Sequence, residues 1–309
     1  MVVGLHLQNY DTPASLRRRT DAFRRIMLIT TIDQMHRWSA QQRRDGKQIG
    51  VVPTMGYLHN GHCSLIKCAS NECDVVVTTI FVNPLQFGVG EDFERYPRDL
   101  QRDYTIASDA GTTVVFAPRT DEMYPSNYAT FVDVGPIGEK FEGTFRPGHF
   151  RGVVTVVAKL FHITQPHLAY FGQKDYQQTL VIAQLIRDLN FDISMVVLPT
   201  VREHDGLAMS SRNVYLSPEQ RHHATALYRA LQAATNAINS GERRSHALAE
   251  LMTKVIADND HVRVDYAAAV QAGTLEEVTE FSSGEQAALL VAGRIGPIRL
   301  IDNELVTIP

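Results

Sequence analysis

The chain has 309 residues, of which 44% are hydrophobic, and its formal net charge is −4 at pH 7. This length suits one large or two ordinary domains with packed cores. The net charge is negative, whereas a nucleic-acid-binding domain is usually basic. No apolar run approaches the roughly 18 to 20 residues that span a bilayer.

The first residues and the cysteines both bear on the cellular compartment. Residues 1–26 carry arginine clusters but no apolar segment typical of a secretory signal, so we expect a dispensable, disordered extension before a domain that begins at Met27. Cys63, Cys68 and Cys73 are odd in number and lack Cys-x-x-Cys spacing, which favours a reducing compartment, here the cytoplasm. Beside His62, Cys63 is either an ordinary helix residue or a thiol of lowered pKa.

From Met27 onward, apolar strands alternate with helices. The first helix begins at a capping box, Thr31 with Gln34, and ends at Asp45-Gly46. The next predicted elements are a strand at 49–52, a helix at 59–71, a strand at 74–82, a helix at 97–110, strands at 113–116 and 168–171 flanking a helix at 152–164, a helix at 177–189 and a strand at 193–198. Such alternation predicts an α/β fold with a doubly wound parallel sheet, whose ligands bind beyond the carboxyl ends of the strands.

The pattern changes after the last of these strands. Ser217 and Pro218 begin a capped helix that runs to about Asn239. A second helix is predicted at 245–257, and short strands at 262–268, 287–292 and 298–301. We therefore expect a parallel-sheet domain over 27–200 and a smaller α+β domain over 201–309, with residues 201–213 as the hinge loop.

The turn after the strand at 49–52 carries two histidines at a helix start. His59 and His62 are three residues apart, so they share a face of the first helical turn. Unpaired backbone N–H groups and the helix dipole favour phosphate there, and Gly61 allows a nucleotide to approach closely. The alternative for these residues alone is a surface turn with two solvated histidines.

Two later loops carry amides and cations. Asn83 and Gln86 follow the strand at 74–82 and suit a hydroxyl or carboxylate ligand, although an Asn-Pro turn is the alternative. Arg146, His149 and Arg151 crowd into six residues, a concentration of anion-binding groups that packing does not require.

Two more loops carry groups suited to phosphate. Gly172 allows close backbone approach, Lys174 can meet a phosphate, and Asp175 can hold Mg²⁺ directly or through water. The alternative for Lys174 and Asp175 is a solvated ion pair. Ser210-Ser211-Arg212 can close on the β- and γ-phosphates of a nucleotide.

Taken together, five ordered blocks resemble the pantoate–β-alanine ligase (pantothenate synthetase) family, within the HxGH-type nucleotidyltransferases, from about Met27 to Ile308. The blocks are Val52–Gly56 with His59-x-Gly61-His62, Ile80–Phe87, Arg146–Phe150, Phe171–Gln178 and Asp205–Asn213. The resemblance implies a Rossmann-type domain, a C-terminal lid and a homodimer. It also implies that ATP and pantoate give pantoyl adenylate and pyrophosphate, and that the amine of β-alanine then attacks the acyl carbon to give pantothenate and AMP.

The resemblance further implies residue roles. The implied catalytic residues are His59, His62, Lys174 and Arg212, and the implied Mg²⁺ ligand is Asp175. The implied ATP-binding residues are Met55, His59, Gly61, His62, Gly172, Lys174, Asp175, Met209, Ser210, Ser211 and Arg212. The implied pantoate-binding residues are Pro53, Met55, Asn83, Gln86, Arg146, His149 and Gln178. Two positions depart from the family pattern, since Tyr57 stands where a small residue is common and Gln173 where Glu is common.

Three other functions compete with this interpretation. A nucleotidyltransferase acting on a phosphate ester could share the histidine block, but the amides of Asn83, Gln86 and Gln178 better fit a neutral polyol acid. An aminoacyl-tRNA synthetase is disfavoured by the acidic balance and the lack of an anticodon-sized appendage. A nucleotide-sensing binding protein would not need groups aimed at departing pyrophosphate, such as Lys174 and Arg212.

Overall fold

The computed structural model describes residues 26–309. Nearly all of the predicted extension, residues 1–25, therefore lies outside the described residues. Six parallel strands form the larger sheet in the order β1-β4-β3-β2-β5-β6. They are β1 (Met27–Ile29), β2 (Ile49–Thr54), β3 (Val75–Ile80), β4 (Val114–Phe116), β5 (Leu168–Gly172) and β6 (Ser194–Leu198). The predicted doubly wound parallel sheet is confirmed.

Helices cover both faces of this sheet. They are α1 (Ile32–Arg44), α2 (Asn60–Glu72), α3 (Leu100–Ala110), α4 (Thr120–Met123), α5 (Glu142–Phe145), α6 (His149–Thr164) and α7 (Tyr176–Asp188). β3 is buried on both faces, as expected for a run of Val, Thr and Ile in a central parallel strand. The chain places β3 on one side of β2 and β5 on the other. A ligand crevice is expected at the carboxyl ends of β2 and β5, because the winding direction reverses between them.

The C-terminal part forms a smaller antiparallel sheet with helices, so the expected α+β character is confirmed. Its elements are α8 (Pro218–Ala224), α9 (Ala226–Asn239), α10 (Ser245–Ala257), β7 (Arg263–Gln271), β8 (Gln286–Ile295) and β9 (Ile298–Thr307), with strand order β7-β8-β9. Apolar side chains of α9, α10 and the sheet share one buried core.

Several element boundaries differ from the prediction. The single helix expected from Ser217 to Asn239 is interrupted at Thr225, whose hydroxyl donates to the carbonyl of His222 at 2.7 Å. β9 extends to Thr307, six residues beyond its predicted end, because polar residues such as Asp302 and Asn303 are buried there. β1 was not predicted, since three residues are too short to show a period.

Contacts from β9 join the two sheets. The Asn303 side-chain amide donates to the carbonyl oxygens of Gln173 and Lys174 at 2.9 and 2.8 Å. Arg299 forms an ion pair with Glu142 at 2.6 Å. The smaller sheet thus lies against the loop that carries Lys174. Within residues 26–309, none of the helices combines the length and the apolar character that crossing a membrane requires.

Candidate active site

A cavity of about 220 Å³ lies at the carboxyl ends of the parallel strands, where the winding direction reverses. The predicted site residues that line it are Pro53, Met55, His59, Gly61, His62, Asn83, Gln86, Arg146, His149, Gly172, Lys174, Asp175, Gln178, Met209, Ser210, Ser211 and Arg212. The structure therefore brings all of these residues together from parts of the chain that are far apart in sequence.

A second cavity of about 770 Å³ adjoins the first. Lys174, Asp175 and Arg212 line both cavities, and the second extends along β9 to Arg299. The site therefore opens toward the smaller sheet.

The start of α2 holds the two histidines in a reciprocal arrangement. His59 is the N-cap residue, and its Nδ1 accepts a hydrogen bond from the backbone N–H of Gly61 at 3.2 Å. The Nδ1 of His62 accepts from the backbone N–H of His59 at 3.3 Å. A nitrogen that accepts a hydrogen bond carries no proton, so in each neutral ring Nε2 carries the N–H. The ring centroids lie 4.1 Å apart.

Burial keeps both rings neutral. Burial, followed by the charge of Lys174, lowers the pKa of His59 to about 4. The pKa of His62 is also lowered well below its usual range, first by burial and then by His59 and Lys174. Near pH 7 the pair therefore presents two uncharged N–H donors. A Cβ at Gly61 would lie 2.9 Å from Cε1 of His59, so this glycine also makes room for the ring.

A buried carboxylate fixes the turn between β2 and these histidines. Asp103 on α3 accepts from the backbone N–H groups of Tyr57 and Leu58 at 2.6 and 2.7 Å. Tyr57 adopts a left-handed conformation with φ of 49°, which is uncommon for a residue with a large side chain. Its ring packs against the guanidinium of Arg102 at 4.6 Å. Sequence reasoning missed Asp103, because its place on α3 reads as an ordinary polar helix position.

Two side-chain amides, those of Asn83 and Gln86, lie together in the cavity and form its amide end. Asn83 donates to Oε1 of Gln86 at 3.1 Å and to the carbonyl of Gly152 at 3.0 Å, while its own oxygen accepts from the hydroxyl of Tyr124 at 2.8 Å. The Nε2 of Gln86 lies 3.1 Å from the sulfur of Met55. The amide of Asn83 is thus engaged within the protein and orients Gln86.

Arg146 and His149 lie beside Gln86 and are hydrogen-bonded to each other. Arg146 forms an ion pair with Glu91 at 2.7 Å and donates to Nε2 of His149 at 3.1 Å. The Nδ1–H of His149 donates to the carbonyl of Gln86 at 2.9 Å. Burial, followed by the charge of Arg146, lowers the pKa of His149 to about 4.

The expected grouping of Arg151 with Arg146 and His149 is wrong. α6 begins at His149, a turn earlier than predicted, and residues two apart on a helix do not share a face. Arg151 lies over the ring of Phe131 at 4.4 Å instead. The alternative of a low-pKa Cys63 is also wrong, because burial raises the pKa of this thiol.

Another part of the cavity, its cationic end, carries Lys174 and Arg212, each of which is paired with a carboxylate. Nζ of Lys174 lies 3.5 Å from a carboxylate oxygen of Asp175, and Arg212 pairs with Asp92. The hydroxyl of Ser211 donates to the carbonyl of Tyr57 at 3.1 Å, which ties the predicted hinge loop to the histidine turn. The cavity therefore has an amide end and a cationic end, and the neutral histidine pair also lines it.

Comparison with known proteins identifies the family of the chain. A family model described as pantoate-beta-alanine ligase matches residues 27–305. The chain belongs to this family. A pantothenate synthetase of Moorella thermoacetica is 51% identical over 281 residues, which are 91% of this chain and 99% of that protein. The predicted resemblance is thereby confirmed, and the chain is an enzyme of the pantoate–β-alanine ligase family.

Solved structures show the same relationship. A crystal structure of pantothenate synthetase from Thermus thermophilus has a TM-score of 0.85 and 47% identity, and the match covers 90% of this chain and 99% of that one. A pantoate-beta-alanine ligase from Francisella tularensis, complexed with beta-gamma ATP and beta-alanine, has a TM-score of 0.75 and 34% identity over 91% of this chain and 97% of that one.

Part of the candidate site escaped sequence reasoning. One wall of the cavity consists of Val153, Val156, Val157 and Leu160 on α6. Their spacing marks one helix face, but α6 is apolar on nearly every face, so the sequence does not single this one out. Thr200 was also missed; this residue lines the cavity, and its hydroxyl oxygen is buried without a hydrogen-bond partner within the described residues.

Proposed function

We propose that the chain condenses pantoate with β-alanine through a pantoyl adenylate, consuming ATP and releasing AMP and pyrophosphate. The observation that carries the proposal is a single cavity with an amide end for an acid substrate, a cationic end for phosphates and the neutral histidine pair. Family membership gives the overall reaction, and the ligands of the Francisella tularensis relative support ATP and β-alanine as substrates.

In this proposal the cationic end binds ATP. Lys174, Arg212 and the hydroxyls of Ser210 and Ser211 hold the β- and γ-phosphates. Gly61, Gly172, Met55 and Met209 line the nucleotide pocket. The cations balance the charge that moves onto pyrophosphate as it leaves, and that stabilisation is largest where the groups are already positioned.

The histidine pair acts at the α-phosphate. The carboxylate of pantoate attacks the α-phosphorus and the bond to pyrophosphate breaks, so the protein needs no nucleophile of its own. The Nε2–H groups of His59 and His62 donate to the oxygens of the α-phosphate in the pentavalent transition state. Because both rings are neutral, they stabilise this charge without binding pyrophosphate too tightly to release. Catalysis is then positioning and electrostatics.

The amide end binds pantoate. Gln86 and Gln178 hydrogen-bond its hydroxyl and carboxylate groups, and Met55 and Pro53 pack on its methyl groups. Asn83, Arg146 and His149 hold the backbone and side chain of Gln86 in place. In the second step the amine of β-alanine attacks the acyl carbon, and AMP leaves.

Asp175 is the proposed partner of Mg²⁺. Its carboxylate is about half exposed at the cationic end, and Mg²⁺ typically binds through one or two carboxylates together with substrate phosphates. The residues present therefore fit this ion, which would neutralise phosphate charge. From the resemblance we also propose a homodimer in the cytoplasm, and we propose residues 27–200 and 201–309 as domain and lid with hinge loop 201–213.

Pyrophosphate release tests the proposal. The chain would be given ATP, Mg²⁺ and pantoate, with and without β-alanine. Pantoate-dependent release limited to about one equivalent, becoming multiple-turnover only with β-alanine, is the expected result. Release that needs both acid and amine from the first turnover would contradict a bound adenylate, and ATP binding without any pantoate-dependent release would favour a phosphate-ester transferase or a nucleotide sensor.

A further inference from the structure

A cluster of metal-ligating side chains lies on the smaller domain, outside the active-site cavity. Glu219, His223 and His261 each offer a ligand atom, and these atoms all lie within 4.8 Å of one another. Within residues 26–309, no other group of three His, Cys, Asp or Glu side chains converges in this way.

Two separate elements build this cluster. Glu219 and His223 are four residues apart on α8, so they share one helix face. His261 lies in the turn between α10 and β7, and its ring stacks on that of His223 with centroids 4.0 Å apart. The cluster therefore joins parts of the chain that are distant in sequence.

The side chain of Asn259 holds the turn of His261 against the end of α8. The side-chain amide of Asn259 donates to the carbonyl of His223 at 3.4 Å, and its oxygen accepts from the N–H of His261 at 3.2 Å. Val262, the next residue, is buried in the domain core. The fold thus brings the three side chains together, with Glu219 and His261 exposed and His223 partly buried.

We propose that Glu219, His223 and His261 bind a divalent transition-metal ion, with Zn²⁺ as the best fit. Two imidazoles with one carboxylate are a ligand set used for zinc, whereas Mg²⁺ and Ca²⁺ prefer oxygen ligands alone. Water completes the coordination, because the cluster is at the surface.

The bound ion would cross-link α8 to the turn before β7. α8 also bears Arg221, which pairs with Glu203 and Asp205 of the predicted hinge loop. The ion is therefore expected to stabilise the helix that supports this loop, and its binding does not depend on the proposed reaction.

Zinc binding by the full chain tests the proposal. Metal-free protein would compete for Zn²⁺ with a chromophoric chelator, and Co²⁺ would serve as a spectroscopic probe. We expect one Zn²⁺ per chain at this site, an affinity at least about tenfold weaker in His261→Ala, and a rise in Tm with Zn²⁺ that His261→Ala loses. A visible Co²⁺ band should also disappear in that variant.

The matched control is His246→Ala. His246 pairs with Glu250 at the same four-residue spacing on α10, but the described residues supply no third ligand there. Binding should be unchanged in this variant. Since His261→Ala keeps the active-site histidines, zinc bound equally by wild type and His261→Ala would belong elsewhere and overturn the proposal. So would the absence of stoichiometric binding by wild type.

Discussion

The guanidinium of Arg212 forms a bidentate ion pair with the carboxylate of Asp92, with nitrogen–oxygen distances of 2.8 and 2.9 Å. The pair fixes the plane of the guanidinium at the border of the two cavities. Sequence reasoning found Arg212 but missed Asp92, because an acid in a polar loop gives no sign of its partner. The pairing means that the orientation of Arg212, besides its charge, is set before a ligand arrives.

Arg212→Lys should separate charge from orientation. Lysine keeps the positive charge but cannot bond Asp92 and a phosphate through one planar group. We expect kcat/KM for ATP, measured by pyrophosphate release, to fall roughly tenfold to hundredfold, with little change in Tm. Arg95→Lys is the control, since Arg95 lines only the larger cavity. Equal kinetics for Arg212→Lys and wild type would remove Arg212 from phosphate binding.

His59→Asn should separate the capping role of His59 from its catalytic role. Asparagine is a favoured N-cap residue and can accept from the backbone as Nδ1 does, but it has no donor that reaches as far as Nε2. We expect Tm to stay within a few degrees of wild type while pantoate-dependent pyrophosphate release falls at least about a hundredfold. Circular dichroism would check the fold. Near-normal release would show that this ring is not needed at the α-phosphate.

The sequence predicts the site residues themselves better than it predicts the residues that they contact. His59, Lys174 and Arg212 could be found because each follows a strand or begins a helix, where the local pattern predicts a ligand-facing position. Their partners could not be found in the same way. Asp103 reaches Tyr57 across 46 positions and Arg212 reaches Asp92 across 120, and no local period encodes such a contact.

Helix starts and strand ends show the same limit. α6 begins at His149 although the apolar period becomes clear only from Gly152, and this shift decides that Arg151 faces away from His149. β9 was predicted too short because Asp302 and Asn303 look like loop residues. They are buried because Asp302 pairs with Arg202 and Asn303 bonds the Lys174 loop, and these tertiary contacts override local propensity.

Asp103→Asn should disturb the turn at Tyr57 and Leu58 that precedes His59. An amide can accept through only one oxygen and would turn an N–H group toward a backbone donor. Losing one charged hydrogen bond and leaving a buried donor unpaired should lower the free energy of unfolding by on the order of 3 kcal/mol, and kcat should fall because the backbone before His59 shifts. Urea denaturation and pyrophosphate release would measure both. Asp109→Asn, on the exposed face of α3, should change neither, and wild-type stability in Asp103→Asn would show that the two bonds contribute little.

The low pKa of His149 predicts a loss of stability in acid. Its pKa in the folded protein is about 4, against an ordinary value of 6.5. Between these values the unfolded chain binds a proton that the native protein excludes, so the free energy of unfolding falls as pH falls. The contribution of His149 is therefore fully present above pH 6.5 and is lost toward pH 4.

His149→Asn should make this pH dependence shallower. Asparagine can still donate to the carbonyl of Gln86 but does not titrate. The variant also loses the hydrogen bond from Arg146, but this loss lowers the free energy of unfolding by the same amount at both pH values. Urea denaturation at about pH 7 and about pH 5 should show a loss of stability that is smaller than in wild type by about 2 kcal/mol. Because His59 and His62 also have lowered pKa values, part of the loss should remain in the variant. An identical loss in wild type and His149→Asn would mean that the native protein takes up the proton on His149 as readily as the unfolded chain does.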